Sequence, residues 1–191
     1  WLKDLDCALQ LQPDHVSTYC LTFEEDTALW VKLQNGTFHR DPEQEARLYE
    51  ETWQYLEQQG FEQYEISNFA RPGHACAHNI DTWRMQDWYG LGPSAASQYL
   101  DKRYTNPSSL DAWQKQVERR QRFGDQTETL TQRERMLDTL IFGLRMNEGV
   151  NLNSIHPPDD EPAIMDQLKA YLEDLENSGH LHKEENGRVS L

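Results

Sequence analysis

Asp41-Pro42-Glu43-Gln44 opens, and Gly60-Phe61-Glu62-Gln63-Tyr64-Glu65-Ile66-Ser67 closes, the stretch that decides how this chain folds. An aspartate followed by proline is a helix start, because its carboxylate caps the first free amides and the fixed φ of proline suits the first helical position. Early negative charge at Glu43 suits the same end. Gly60 ends the helix, and Phe61 to Ser67 reads as a strand. The same alternation precedes it. Leu2, Leu5, Leu9 and Leu11 recur near helical spacing with Cys7 and Ala8 between them, Pro13-Asp14 stops the run, and His15 to Thr22 reads as a strand. Helix, strand, helix, strand is the rhythm of a parallel α/β sheet, in which each crossover lays a helix over the sheet. Ligands in such sheets sit at the carboxyl ends of strands, here near Thr22 to Glu25 and Ser67 to Phe69. The segment from Asn68 to Trp83 is therefore expected over that mouth.

Downstream, Trp88 to Gly92 and Ser97 to Tyr104 read as extended, with a turn at Asp101-Lys102, and Asn106-Pro107-Ser108 opens a helix running to about Gln121. A second domain is expected over 106–191, after a first over 1–105. Thr131-Gln132-Arg133-Glu134 matches a capping box, and Leu137, Leu140, Ile141 and Leu144 form the apolar stripe of its helix. Pro162 starts another helix, whose Ile164, Leu168, Leu172 and Leu175 face a core until Gly179. Leu181 to Lys183 and Arg188 to Leu191, joined at Asn186-Gly187, read as a hairpin.

Composition narrows the function classes. Asp and Glu outnumber Lys and Arg by 33 to 18, and the net charge of −15 argues against nucleic acid or an anionic membrane as partner. No apolar run is long enough to span a bilayer, and the first residues lack the layout of a secretory signal. Three widely spaced cysteines, Cys7, Cys20 and Cys76, suit reduced thiols and a cytoplasmic setting. The first ten residues read as the middle of a helix with no initiator Met, the pattern of a fragment.

The segment Tyr64-Glu65-Ile66-Ser67-Asn68-Phe69-Ala70-Arg71-Pro72-Gly73-His74-Ala75-Cys76-Ala77-His78-Asn79-Ile80-Asp81-Thr82-Trp83 carries the most information. Together with Leu9 to Ser17, Asp87-Trp88-Tyr89-Gly90-Leu91-Gly92-Pro93 and Leu144-Arg145-Met146-Asn147-Glu148-Gly149-Val150, it resembles the HemW-like proteins. These are relatives of the radical SAM enzyme oxygen-independent coproporphyrinogen III oxidase, the HemN-like family. The resemblance implies an α/β plus α+β fold: closing βα units of an incomplete, TIM-like radical SAM barrel, then a small helical winged-helix-like domain. It also implies, for the whole protein, a 4Fe-4S cluster with S-adenosylmethionine, whose cysteine motif this sequence lacks. The fragment alone is therefore expected to be inactive in radical chemistry.

Two activities go with the resemblance. HemW-like proteins bind heme and deliver it to acceptor proteins, whereas the oxidases decarboxylate coproporphyrinogen by a radical route; a purely structural or interaction role is the third reading. His78-Asn79-Ile80-Asp81-Thr82-Trp83 matches the His-Asn-x-x-Tyr-Trp motif of the heme-handling group except at Thr82. The resemblance makes His78 the ligand to heme iron, with Asn79 in the same motif, Trp83 packing on the macrocycle, Arg71 pairing a propionate, and Thr22 near the adenine of S-adenosylmethionine. Tyr64, Glu65 and Asn68 stand where substrate or adenosine contacts would fall, or equally where an internal hydrogen bond would. Without the family, His74, Cys76 and His78 alternate as on one face of a strand, a weak zinc pattern with no second ligand pair; histidines bonded to loop backbone are the structural alternative. Loss of the barrel's other half would leave the sheet edge at residues 15–22 open, so self-association is expected.

Overall fold

The computed structural model describes residues 1–121 and 127–191, and the chain forms two compact units, Trp1–Cys76 and Ala77–Leu191. The first contains α1 (Leu2–Leu9), β1 (His15–Ser17), α2 (Ala28–Gln34), α3 (Pro42–Gln58), β2 (Glu62–Glu65) and β3 (Asn68–Ala70). Asp41 caps α3 through a bond from the Gln44 N–H at 3.0 Å, and Gly60, at φ 81°, lets the chain leave it. Helix α2 lies in a segment where the sequence pattern predicts no element. Thr27 caps it by accepting the Trp30 N–H at 3.1 Å.

The sheet of this unit corrects the parallel expectation. Its order is β1-β3-β2 with both pairings antiparallel, so β1 and β2 run the same way with β3 inserted between them. Phe61 to Ser67 is not one strand because the chain reverses at Ile66-Ser67, where Glu65 pairs with Asn68. The fully buried Glu65 carboxylate stabilises that reversal, accepting the Ser67 N–H at 2.8 Å and the Asn68 side-chain amide at 2.5 Å. Neither glycine nor proline marks the turn, and Asn68 to Ala70, expected in a loop over the mouth, form a buried strand. The strand read from His15 to Thr22 is shorter as well. After Ser17 one more ladder-like bond follows, from the Thr18 N–H to the Ser67 carbonyl at 2.8 Å, and Thr22 lies beyond the strand on an exposed segment. Leu56, Phe61 and Phe69 form the core, flanked by Leu9 and Val16.

The second unit contains α4 (Ala77–Trp83), β4 (Ala96–Tyr99), β5 (Lys102–Thr105), α5 (Leu110–Glu118), β6 (Thr127–Thr129), α6 (Gln132–Arg145), β7 (Val150–Asn151), α7 (Ile164–Asn177), β8 (His182–Lys183) and β9 (Arg188–Ser190). The β4–β5 hairpin turns at Leu100-Asp101, one residue before the expected turn, with Tyr99 paired to Lys102 and Leu100 at φ 56°. Strand β5 pairs with β6, and the Arg103 guanidinium reaches Asp138 of α6 at 2.7 Å. Those bonds tie residues 96–105 to β6 and α6, so the boundary falls after Cys76 and not after residue 105. Thr131 and Glu134 form the capping box expected for α6.

A second sheet of this unit runs β7-β9-β8, all antiparallel. Its core is Met136, Leu140, Val150, Ile155, Leu172, Leu181 and Val189. Ile141, expected in the α6 stripe, is exposed, because the buried face follows Met136, Leu140 and Gly143 at helical spacing. Gly149 is required where it stands. A Cβ there would lie 2.0 Å from the Val189 carbonyl oxygen, and its φ is 64°.

Candidate functional site

Helix α4 carries His78, Asn79 and Trp83, three of the residues that the motif singles out. Its short run has no proline or glycine, and the Thr82 hydroxyl bonds back to the His78 carbonyl at 2.8 Å, a local use for the side chain that replaces the motif's tyrosine. The His78 side chain is exposed, and Asn79 is half-buried on the same helix. Trp83, also half-buried, meets the edge of Phe142 at 5.6 Å between ring centroids, and the Arg145 guanidinium lies 4.3 Å from its ring centre. The indole N–H is buried and makes no hydrogen bond.

Because Ala77 to Trp83 is helical, the strand-like alternation of His74, Cys76 and His78 does not occur. The His74 N–H bonds the Arg71 carbonyl in a turn, and its ring lies 3.7 Å from the Asp14 carboxylate. Among the described residues no group of three or more His, Cys, Asp or Glu side chains is placed to hold a metal ion. Cys7, Cys20 and Cys76 are all free thiols spread along the chain, so its own residues do not fit an iron–sulfur cluster.

Thr22 and Arg71 belong to the first unit. Arg71 is half-buried and already engaged: its guanidinium stacks 4.6 Å from the Phe61 ring centre and donates to the Gln59 carbonyl at 3.3 Å, closing the end of α3. On the same sheet a polar chain runs from the Ser17 hydroxyl to Asn68 Oδ1 at 2.5 Å, and from the Asn68 amide to Glu65. His15 Nε2 and the Tyr64 hydroxyl are 2.8 Å apart. Of the two readings open for Glu65 and Asn68, the structure places them in an internal hydrogen-bond network.

The support behind Trp83 has no signal in the sequence. Arg103 donates to Gln98 Oε1 at 2.8 Å and to Asp138 at 2.7 Å, and its guanidinium also lies 5.6 Å from the Phe142 ring centre. Gln98 is fully buried. Arg84, the next residue after Trp83, pairs with Glu148 at 2.8 Å. Two segments of the resemblance therefore meet, through Trp83 and Arg145. The polar residues between them escape local pattern because their partners are far along the chain.

A radical S-adenosyl methionine domain-containing protein 1, mitochondrial, from Danio rerio is 35% identical over 159 residues, covering 78% of this chain and 36% of its own length. Heme chaperone HemW of Synechocystis is 36% identical over 153 residues, and that of Bacillus subtilis 30% over 183, covering 95% of this chain and 48% of the relative. The chain is homologous to the HemW-like proteins. It spans between a third and a half of the length of these relatives. No protein-family model matches it. Among solved structures, a coproporphyrinogen III oxidase (HemN) from Escherichia coli, described as a radical SAM enzyme, superposes with a TM-score of 0.67 at 20% identity. That match covers 98% of this chain and 46% of the oxidase, and it gives this chain the fold of that part of the oxidase. No helix among the described residues is long and apolar enough to cross a membrane.

Proposed function

We propose that this chain is the portion of a HemW-like protein that takes up heme and passes it to an acceptor protein, with His78 as the ligand to iron. The observation that carries the reading is the exposed imidazole of His78 on α4, inside the motif that resembles the heme-handling group. An exposed imidazole is open to ferric or ferrous heme iron from solvent, which suits a cargo that must leave again. On that helix Trp83 offers an aromatic edge and Asn79 a polar neighbour, and Arg71 remains the residue whose guanidinium chemistry suits a propionate. On this reading β1 and β2 are closing strands of a radical SAM barrel, residues 106–191 are a winged-helix-like module, and cluster, S-adenosylmethionine and Thr22's adenine contact belong to the longer protein. The three free thiols favour a reducing, cytoplasmic setting.

A heme titration followed by visible absorption, run beside a His78→Ala variant, tests this. A saturable Soret shift lost in the variant is the expected result. Equal binding in both, or none in either, removes His78 as the ligand in this chain.

A further inference from the structure

Helix α4 has seven residues, and so short a helix is marginal on its own, so whatever anchors it decides where its side chains point. It packs on α6. Asn79, Ile80 and Trp83 share one helix face and are half-buried, whereas His78 is exposed. Successive residues turn by about 100°, so fixing the Ile80–Trp83 face also fixes the direction of the His78 imidazole.

Three contacts hold the C-terminal end of α4, and they are unequal. Trp83 lies against Phe142 and Arg145 of α6. Arg84 pairs with Glu148, but both side chains are about half exposed, and an exposed pair contributes little. The third contact centres on Arg103, whose pair with Asp138 is only 28% and 22% exposed. From β5 its guanidinium reaches Gln98 Oε1 on β4 at 2.8 Å, Asp138 on α6 at 2.7 Å, and the thioether of Met85, two residues beyond α4, at 3.7 Å. The fully buried Gln98 side chain in turn donates to the Met85 carbonyl at 3.5 Å. Met85 stands at φ 58°, a left-handed backbone that a non-glycine residue keeps when its surroundings hold it there. Arg103 also faces the ring of Phe142, against which Trp83 packs.

Resting on the heme-handling reading, we propose that Arg103 is a positioning residue for that site: it fixes the end of α4 and so aims His78, without itself touching the cargo. A support behind a metal ligand holds the ligand's orientation, and its loss typically costs about 10–100-fold in affinity. Lysine does not replace it, because one ammonium cannot reach Gln98, Asp138 and Met85 at once.

Two measurements on the 191-residue chain, one without heme and one with it, test this. Hydrogen exchange without heme reads the Arg84, Met85 and Gln86 amides, which bond the Ile80, Thr82 and Asp81 carbonyls. Arg103→Lys speeds their exchange about tenfold or more while the amides of α7 keep theirs. In a heme titration the same variant binds about tenfold more weakly, yet reaches the wild-type amplitude and band position at saturation, because His78 still ligates. Arg103→Ala, which also leaves Asp138 unpaired, shows the same split enlarged. A merely structural role would instead lower the amplitude and leave the affinity of the folded molecules unchanged. That result, unaltered exchange, or wild-type affinity in the lysine variant overturns the proposal. If His78→Ala loses the Soret shift while Arg103→Lys binds as the wild type does, the positioning role fails and the heme-handling reading stands. If the wild type takes up no heme, that reading fails, and faster exchange then marks Arg103 as an anchor of the fold alone, so the proposal falls with it.

Discussion

The two units are built to different degrees of self-sufficiency. The first packs a cluster of three buried side chains, Leu56, Phe61 and Phe69, beneath a three-stranded sheet, and it carries an apolar groove and an edge strand, β1. The second packs a cluster of seven among its described residues, drawn from two helices, a three-stranded sheet and the segments between them. A small core with open apolar surface is the expected architecture for a part that meets something else, and a larger closed core is that of a scaffold.

The largest expected effect sharpens that contrast. Phe69→Ala removes one of the three buried side chains of the first core and costs about 3–5 kcal/mol, enough to unfold that unit, as urea titration would report. Leu172→Ala costs about 2–5 kcal/mol in the second unit, where the other six side chains of its cluster retain structure. Retention of the first unit's structure after Phe69→Ala would break the comparison. Next comes the edge. Sedimentation across a wide concentration range should show self-association that Tyr19→Lys reduces, since a charge beside an unpaired strand blocks pairing; a single monomer species at every concentration would refute it.

Gly149→Ala should destabilise the second unit by more than about 1 kcal/mol, because the new Cβ meets the Val189 carbonyl and the backbone is left-handed there. Thermal unfolding measures this, and an unchanged midpoint would mean that β9 moves away without cost. His78→Ala, on an exposed face, should alter stability by no more than about 0.5 kcal/mol, so that any loss of heme binding is not a loss of fold.

The smallest effect is electrostatic. Bonds from the Thr131 backbone N–H and then its hydroxyl hold the Glu134 carboxyl below its ordinary range. A group whose folded value is depressed stabilises the fold above its unfolded value and ceases to do so as pH falls through the folded one. The small melting-point advantage of the wild type over Glu134→Gln should thus be full near neutrality and fade on acidification below the usual glutamate range. An advantage that grows in acid would contradict the capping-box geometry.

Much of the local structure is legible in the sequence. The starts at Asp41 and Thr131, the stop at Gly60 and the hairpin around Gly187 are written in residues whose partners lie within four positions, so local chemistry decides them. The motif containing His78 is equally legible, and so are its homologues. The inserted strand β3 is not, because the hairpin before it is held by a buried carboxylate and an amide, not by a turn residue. Nor does local pattern disclose that Arg71 is bound to the end of α3.

By itself, then, the sequence determined the starts of α3 and α6, the end of α3 and the relatives, and it named the candidate ligand, all of which depend on short-range pattern. The tertiary structure alone decided the strand order β1-β3-β2, the placement of Arg103 between Gln98 and Asp138, 35 positions from the latter, and the groove around Thr18. The physical reason is the same in each case: a polar group is satisfied, or left unsatisfied, by neighbours that only the folded chain brings near it.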